Sequence, residues 1–261
     1  MEAFLLQPMQ AFLRYLDLHG DQPAHVYLAG LGLAATGVYG QVVRSAPLVA
    51  YRTLLPDYLG CGFSDCPKDF SYSIHDHAAA IAQLLDALHI TPCVLVGHSM
   101  GGSVAITLAG QRPDLVKCLI LAEANLDPGG GAFSRGIASA TEADFIRERY
   151  GQLIQAVTSQ GQAGDLAAAV AAGIWQIADP SALYRSAVSL VQGTQPSWRE
   201  LLYQLPMPCG FIFGENSLPD TDTAILPTHG IRIAVVPRAG HAMMLENPSG
   251  FAEAVAVLAQ P

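Results

Sequence analysis

The strongest chemical signal in the sequence is Ser99, which lies between glycines in Gly97-His98-Ser99-Met100-Gly101. A Gly-x-Ser-x-Gly pattern between a buried strand and a helix lifts the serine hydroxyl clear of a sheet on a sharp turn. An apolar segment, Cys93 to Val96, precedes this pattern, and a helical pattern with Gly102 in its first turn follows it. We therefore predict that Ser99 is a nucleophile. The alternative interpretation is a glycine-rich turn with an incidental serine.

A serine hydroxyl needs a base, and His241 is the candidate. It follows Gly240, directly after the last predicted strand, where a flexible glycine lets the ring reach across the sheet edge. A serine hydroxyl is a weak nucleophile until such a base removes its proton. We predict that His241 is this base; the alternative is a solvated loop histidine.

Negative charge that develops on an attacked carbonyl oxygen needs two backbone N–H donors. Met100, at the start of the helix after Ser99, is one predicted donor. Leu31, in the turn Gly30-Leu31-Gly32 after an earlier strand, is the second; the alternative is an ordinary glycine turn.

The other histidines give weaker signals. His98 is predicted to point away from Ser99 and to pack in the interior. His75 and His77 lack a third ligand at suitable spacing, so we interpret them as a pair at a helix start. Neither a metal nor a cofactor is expected.

Composition excludes several classes of protein. Of the 261 residues 51% are hydrophobic and 13% charged, which suits a large core and not a disordered chain. The net charge of −9, without any basic run, argues against a nucleic-acid partner. No apolar stretch reaches about 18 residues, so no membrane span is predicted. Cys93, Cys118 and Cys209 are expected to be buried reduced thiols. Because no signal peptide is predicted at the N-terminus, the expected compartment is the cytoplasm.

Apolar runs alternate with helical patterns in the first half of the chain, which is typical of an α/β fold with a mostly parallel central sheet and helices on both faces. The predicted strands are Ala11–Leu18, Ala24–Ala29, Leu48–Leu55, Cys93–Val96, Val116–Ala122, Pro208–Phe213 and Ile231–Val236. The predicted helices of this layered core are Ile74–Leu88, one that includes Val104–Gly110, and a closing helix from Pro248 to about Leu258 with Asn247 as its cap.

The composition changes after Asn125. Asp127-Pro128-Gly129-Gly130-Gly131 is a predicted hinge, and about Phe133 to Leu205 has a helical pattern without a convincing strand. Thr141 is a predicted helix cap, and Pro180 and Pro196 are predicted helix starts. We predict an inserted helical cap at residues 126–205 and a core made of residues 1–125 and 206–261.

Four motifs resemble the α/β-hydrolase superfamily, in its lid-bearing serine esterase and lipase-like branch. They are Gly30-Leu31-Gly32, Asp57-Tyr58-Leu59-Gly60-Cys61-Gly62-Phe63-Ser64, the segment around Ser99, and Gly240-His241 with Glu246-Asn247-Pro248. The resemblance covers nearly all of the chain outside the predicted cap. It implies an α/β-hydrolase fold and a catalytic triad with an oxyanion hole. It gives Asp57 a structural role in ordering a loop near the site.

The acid of the triad departs from the family pattern. The family usually has Asp in a Gly-x-x-Asp pattern, whereas this chain has Gly214-Glu215-Asn216-Ser217. Some members place the acid one strand earlier, and that position is Glu123 here. A carboxylate at the end of an apolar strand is costly to bury without a partner, which His241 would supply. We predict Glu123, with Asp220 or Asp222 and then Glu215 as alternatives.

The first functional hypothesis is hydrolysis of a carboxylic ester (EC 3.1.1) through an acyl-enzyme, with a small, largely apolar acyl substrate. Trp175, Phe133, Tyr150 and Tyr184 are candidate pocket residues; packing inside the cap is the alternative for each. The second hypothesis applies the same triad to a C–C bond, thioester, lactone or peracid. The third is a non-catalytic ligand-binding relative. Serine at position 99 argues against dehalogenase and epoxide hydrolase chemistry, which uses Asp there.

Overall fold

The computed structural model describes residues 1–90 and 92–260. Residues 91 and 261 belong to the predicted core but lie outside the described residues. The described residues form eight strands: β1 (Glu2–Leu6), β2 (Ala11–Leu18), β3 (Asp21–Leu28), β4 (Tyr51–Pro56), β5 (Cys93–His98), β6 (Val116–Ala122), β7 (Cys209–Gly214) and β8 (Arg232–Val236). They make one sheet in the order β1-β2-β4-β3-β5-β6-β7-β8. The β1–β2 and β2–β4 pairs are antiparallel, and the other pairs are parallel.

The same residues form twelve α-helices: α1 (Ala35–Val38), α2 (Ile74–Ala87), α3 (Met100–Gln111), α4 (Ala132–Ala138), α5 (Glu142–Asp144), α6 (Tyr150–Gln162), α7 (Leu166–Trp175), α8 (Pro180–Gln192), α9 (Trp198–Leu202), α10 (Asp222–Ile225), α11 (Met243–Glu246) and α12 (Pro248–Ala259). A single π-helical turn, Phe145–Arg149, joins α5 to α6.

The core lies on both faces of the sheet, because successive side chains of a strand point to opposite sides. In β5, Leu95 belongs to one buried cluster, and Val94 and Val96 belong to the other. This double burial explains the continuous apolar run of the strand and confirms the predicted α/β architecture.

Three strands differ from the sequence predictions by three residues or more, and one of them, β3, begins at Asp21 instead of Ala24. The edge strand β1 was not predicted; it pairs with β2 and has only one fully buried residue, Leu6, so its apolar signal is weak. The strand predicted from Leu48 begins at Tyr51 instead, because Leu48 belongs to a turn. Its N–H donates to the Ser45 carbonyl at 2.9 Å, and its own carbonyl accepts from the Tyr51 N–H at 3.0 Å.

Helices α4 to α9 lie between β6 and β7, in the region of the predicted insertion. Thr141 caps α5, and Asn247 caps α12, with Pro248 as its first helical residue, as predicted. Pro180 begins α8 as predicted. The predicted helix start at Pro196 is wrong: α9 begins at Trp198, because a capping box between Ser197 and Glu200 sets that terminus.

Cys93, Cys118 and Cys209 are free and buried, as predicted. Among the described residues no single helix has the length and apolar composition to cross a bilayer. Only α7 and α8 taken together meet that test, and the chain turns by 119° between them.

Candidate active site

The backbone at Ser99 supports the strand-to-helix turn that the glycine spacing predicts. Ser99 joins β5 to α3 with φ of 53° and ψ of −121°, a conformation that costs a non-glycine residue roughly 1–3 kcal/mol. A Cβ atom at Gly97 would lie 2.4 Å from the Gly101 carbonyl oxygen, and one at Gly101 would lie 2.3 Å from the Leu28 carbonyl oxygen. Both positions therefore exclude any side chain.

Glu123 and His241 are in direct contact, although 118 residues separate them in the chain. Nδ1 of His241 lies 2.8 Å from Oε2 of Glu123, and Oε1 of Glu123 accepts the Gly214 N–H at 2.9 Å. The Glu123 side chain is 13% exposed, and that of His241 is 58% exposed. Since β6 and β7 are parallel neighbours, the end of one strand brings Glu123 to the backbone of the other.

The pKa of Glu123 reflects two opposing effects. Burial raises it, but hydrogen bonds from His241, Gly214 and Ser217 stabilise the carboxylate, and the net pKa is lowered. Ser217 occupies the position where the family usually carries Asp. This serine therefore helps to stabilise the carboxylate that contacts His241.

The alternative acids have other partners. Asp222 forms an ion pair with Arg199 at 2.8 Å. Asp220 accepts the Asp222 N–H at 2.7 Å, and Glu215 accepts the Arg238 N–H at 2.7 Å. In the described part of the chain no hydrogen bond joins any of these three acids to His241.

Ser99 and His241 line one cavity of about 660 Å³. Leu31 lines it as well, and Met100 begins the helix directly behind Ser99. Within the described ranges the N–H groups of Leu31 and Met100 donate to no other residue. Both predicted oxyanion donors therefore lack a hydrogen-bond partner among the described residues.

Two of the four predicted pocket aromatics line this cavity. Phe133 and Trp175 stack on one another with ring centroids 5.2 Å apart. The prediction is wrong for Tyr150 and Tyr184, which are held by hydrogen bonds inside the helical segment. The Tyr150 hydroxyl donates to the Trp175 and Ala178 carbonyls, and the Tyr184 hydroxyl donates to the Ala140 carbonyl at 2.8 Å.

His98 has a contact that the sequence analysis missed. It is buried as predicted, but it does not point away from the site: it lines the cavity, and its ring lies 4.6 Å from that of His241. Nε2 of His98 lies 2.8 Å from the His241 carbonyl oxygen and donates a hydrogen to it. Burial, together with the nearby His241, lowers the pKa of His98 to about 3, so the ring is neutral. Its position directly before Ser99 was the available signal.

His75 and His77 have separate partners, in agreement with a pair at a helix start. His75 bonds to Gln111 at 3.0 Å, and His77 bonds to Ser186 at 3.0 Å. Across residues 1–90 and 92–260 no group of three His, Cys, Asp or Glu side chains could hold a metal ion.

Asp57 is fully buried and orders the loop beside the site. Its carboxylate accepts the Thr36 N–H at 3.1 Å and the Phe63 N–H at 3.2 Å. Burial raises its pKa, against the lowering effect of these hydrogen bonds.

A protein-family comparison identifies the fold. The model described as the alpha/beta hydrolase fold matches residues 28–171, which is more than half of the chain. The chain belongs to the α/β-hydrolase fold family. The match includes the Leu31 turn, the Asp57 loop, Ser99 and Glu123.

Proteins that are similar to this chain differ in their named activities. The sn-1-specific diacylglycerol lipase ABHD11 of Mus musculus is 29% identical over 96% of this chain and 85% of its own length. An esterase from Thermogutta terrifontis has a TM-score of 0.80 at 20% identity and covers 98% of this chain and 97% of its own. An enol-lactonase from Burkholderia xenovorans has a TM-score of 0.80 at 18% identity and covers 100% of both chains. The two structures establish the fold alone. The family match and the diacylglycerol lipase relative support a hydrolase as the class of enzyme.

Proposed function

We propose that this α/β-hydrolase cleaves a carboxylic ester through a covalent acyl-enzyme, with Ser99, His241 and Glu123 as its triad. The 2.8 Å hydrogen bond between His241 Nδ1 and Glu123 Oε2 carries the proposal. A carboxylate on Nδ1 leaves Nε2 as the basic nitrogen and stabilises the imidazolium that forms when Nε2 takes a proton.

The chemistry proceeds in two halves. Nε2 of His241 removes the Ser99 proton as Oγ attacks the ester carbonyl carbon, and the N–H groups of Leu31 and Met100 stabilise the resulting oxyanion. The C–O bond to the alcohol then breaks, and the imidazolium returns the proton to the departing alcohol. Water, activated by His241, hydrolyses the acyl-enzyme in the same way and releases the acid.

The cavity supports an apolar acyl group. Phe133, Trp175, Leu190 and Met244 contribute apolar surface to its wall. The helical segment at residues 126–205 supplies three of these four side chains, so we propose that it acts as a cap over Ser99. The alignment with a diacylglycerol lipase along nearly the whole chain favours an ester.

Two alternatives use the same fold. One applies the triad to a C–C bond, thioester, lactone or peracid. The structural similarity to an enol-lactonase is the reason to retain the lactone among these. The other is a non-catalytic ligand-binding relative. Its support is that Ser217 stands where the family usually has Asp. The contact between Glu123 and His241 weighs against it.

The first test is labelling with a fluorophosphonate, which reacts with activated serines. We expect labelling of the folded wild-type protein at Ser99 and none in Ser99→Ala. Hydrolysis of p-nitrophenyl esters should follow the same pattern. A folded wild-type protein that neither reacts nor hydrolyses any ester would overturn the proposal.

The second test compares Glu123→Gln with Asp220→Asn on a p-nitrophenyl ester. Both changes replace a carboxylate with its amide, so they are matched in size. We expect a loss of roughly 10³-fold or more in kcat for Glu123→Gln and little change for Asp220→Asn. An unaffected Glu123→Gln enzyme would eliminate Glu123 as the acid.

A further inference from the structure

A second apolar space adjoins the cavity of Ser99. It has a volume of about 600 Å³, and we call it the outer groove; its wall includes Leu18, Val49, Leu166, Val170, Met244 and Leu245. Met244 and Leu245, from α11, also line the cavity of Ser99. The two spaces therefore share Met244 and Leu245 as a common wall.

Helix α7 contributes to both spaces. Ala168 and Ala171 line the cavity of Ser99, and Leu166 and Val170 line the outer groove. Both spaces therefore have apolar surface from the same helix.

The outer groove has the chemistry of a site for hydrocarbon. Val49 is 59% exposed, Leu166 is 56% exposed and Leu18 is 40% exposed, so three large apolar side chains in one groove are in contact with water. Among the described residues that line it, Arg44 is the single charged one. Covering such a surface with methylene groups is favourable and needs no polar partner from the ligand.

We propose that the outer groove binds the distal part of a long acyl chain whose ester carbonyl lies at Ser99. This inference rests on the proposed esterase function and gives its substrate class as long-chain acyl esters. A short acyl group would fill only the cavity of Ser99, whereas a long one would pass Met244 and Leu245 and enter the outer groove.

The test is a chain-length profile on p-nitrophenyl esters from butanoate to hexadecanoate. Val170→Trp fills the groove from α7, and Val49→Trp fills it from the turn before β4, at an exposed position where folding is least at risk. Val235→Trp is the matched control, because Val235 is also an exposed valine but lines neither space.

Each methylene transferred from water to an apolar site changes kcat/KM by about fourfold. We therefore expect a loss of about tenfold or more on hexadecanoate in both groove variants, with butanoate within about twofold of the wild type. The Val235→Trp enzyme should keep the wild-type profile. A crystal structure with a hexadecylphosphonate on Ser99 should place the chain beyond Met244 and Leu245.

Failure of this inference differs from failure of the proposed function. If butanoate is cleaved and the groove variants keep the wild-type profile, the groove does not bind the acyl chain. If the same variants instead convert a dimer to a monomer in size-exclusion chromatography, the groove is an interface between two copies. If neither labelling at Ser99 nor cleavage of butanoate occurs, the esterase function itself is wrong.

Discussion

Glu123 and Ser217 lie just beyond the ends of neighbouring strands, β6 and β7, and Ser217 helps to lower the pKa of the Glu123 carboxyl. Of these two residues, only Glu123 has a carboxylate that can bond to His241. Glu123 accepts the Gly214 N–H at the end of β7, three residues before position 217, so a carboxylate at 217 would begin close to the one it replaces. In the proposed triad, the acid could therefore come from either of two neighbouring positions.

This arrangement predicts that the acid can be moved. Glu123→Gln should lose roughly 10³-fold in kcat, and the double variant Glu123→Gln with Ser217→Asp should recover about tenfold or more of that loss. The measurement is kcat on a p-nitrophenyl ester. Glu123→Gln with Ser217→Asn is the control, because it adds bulk without charge. No recovery in a folded double variant would mean that a carboxylate at 217 does not reach His241.

His98 is a positioning residue in this proposal, since it holds the His241 carbonyl. His98→Phe keeps a ring of similar size but leaves that carbonyl without its donor. We expect kcat/KM to fall about tenfold, since a lost buried hydrogen bond costs about 1–3 kcal/mol. His25→Phe is the control, because His25 is also buried but lies outside the cavity. An equal loss of kcat/KM in both variants, in step with their loss of stability, would leave His98 with a packing role alone.

At the scale of elements, one side chain joins the end of the helical segment to its beginning and to α10. Arg199, in α9, pairs with Asp127 at 2.7 Å and with Asp222 at 2.8 Å. Its backbone N–H also donates to the Leu126 carbonyl at 2.8 Å. Asp127 lies just before α4, and Asp222 begins α10, so three segments meet at one guanidinium.

Arg199→Gln should lower the free energy of unfolding by about 1–3 kcal/mol, mostly through Asp222, whose side chain is only 18% exposed. Urea unfolding at neutral pH measures this change. Arg147→Gln is the control: Arg147 is 63% exposed and pairs with Asp144 within one helical turn, so we expect a much smaller loss. Equal losses in the two variants would mean that the Arg199 cluster has no special role.

At the scale of the whole molecule, three buried histidines make stability depend on pH. Burial lowers the pKa of His25 and of His77 to about 4, and burial with the nearby His241 lowers that of His98 to about 3. The unfolded chain binds protons near pH 6.5, where the folded chain does not, so stability falls as the pH drops below about 6.5. Glu123 acts in the same direction at lower pH, because its contribution is lost as pH falls through its lowered folded pKa.

The expected slope is up to about 1.4 kcal/mol per pH unit for each of these histidines. His77→Gln should reduce the slope between about pH 6 and 4 by up to that amount, whereas His19→Gln, at an exposed position, should leave it unchanged. Urea midpoints across this range give the slope. An unchanged slope in His77→Gln would show that His77 is protonated in the folded chain.

Much of the fold could be predicted from the sequence because its signals are local. The bounds of β2 and β6, the start of α2 and the cap of α12 all follow from side-chain periodicity and cap chemistry within a few residues. The turn at Ser99 is equally local, since a Cβ atom at Gly97 or Gly101 would collide with backbone atoms of the same turn or of the neighbouring strand β3. The edge strand β1 was missed because an edge strand buries little and so leaves little pattern.

The relations among distant residues needed the three-dimensional structure. Sequence left four acids as candidates, and the parallel order β5-β6-β7 brings one of them, Glu123, against His241. It also left His98 as a packing residue, although a hydrogen bond spans the 143 positions to the His241 carbonyl. Tyr150 and Tyr184 are aromatic residues of the same helical segment as Phe133 and Trp175. Their hydroxyls, however, donate to carbonyls inside that segment. Periodicity reports which side of an element is buried, whereas contacts between elements depend on strand order and on how the helices pack over the sheet.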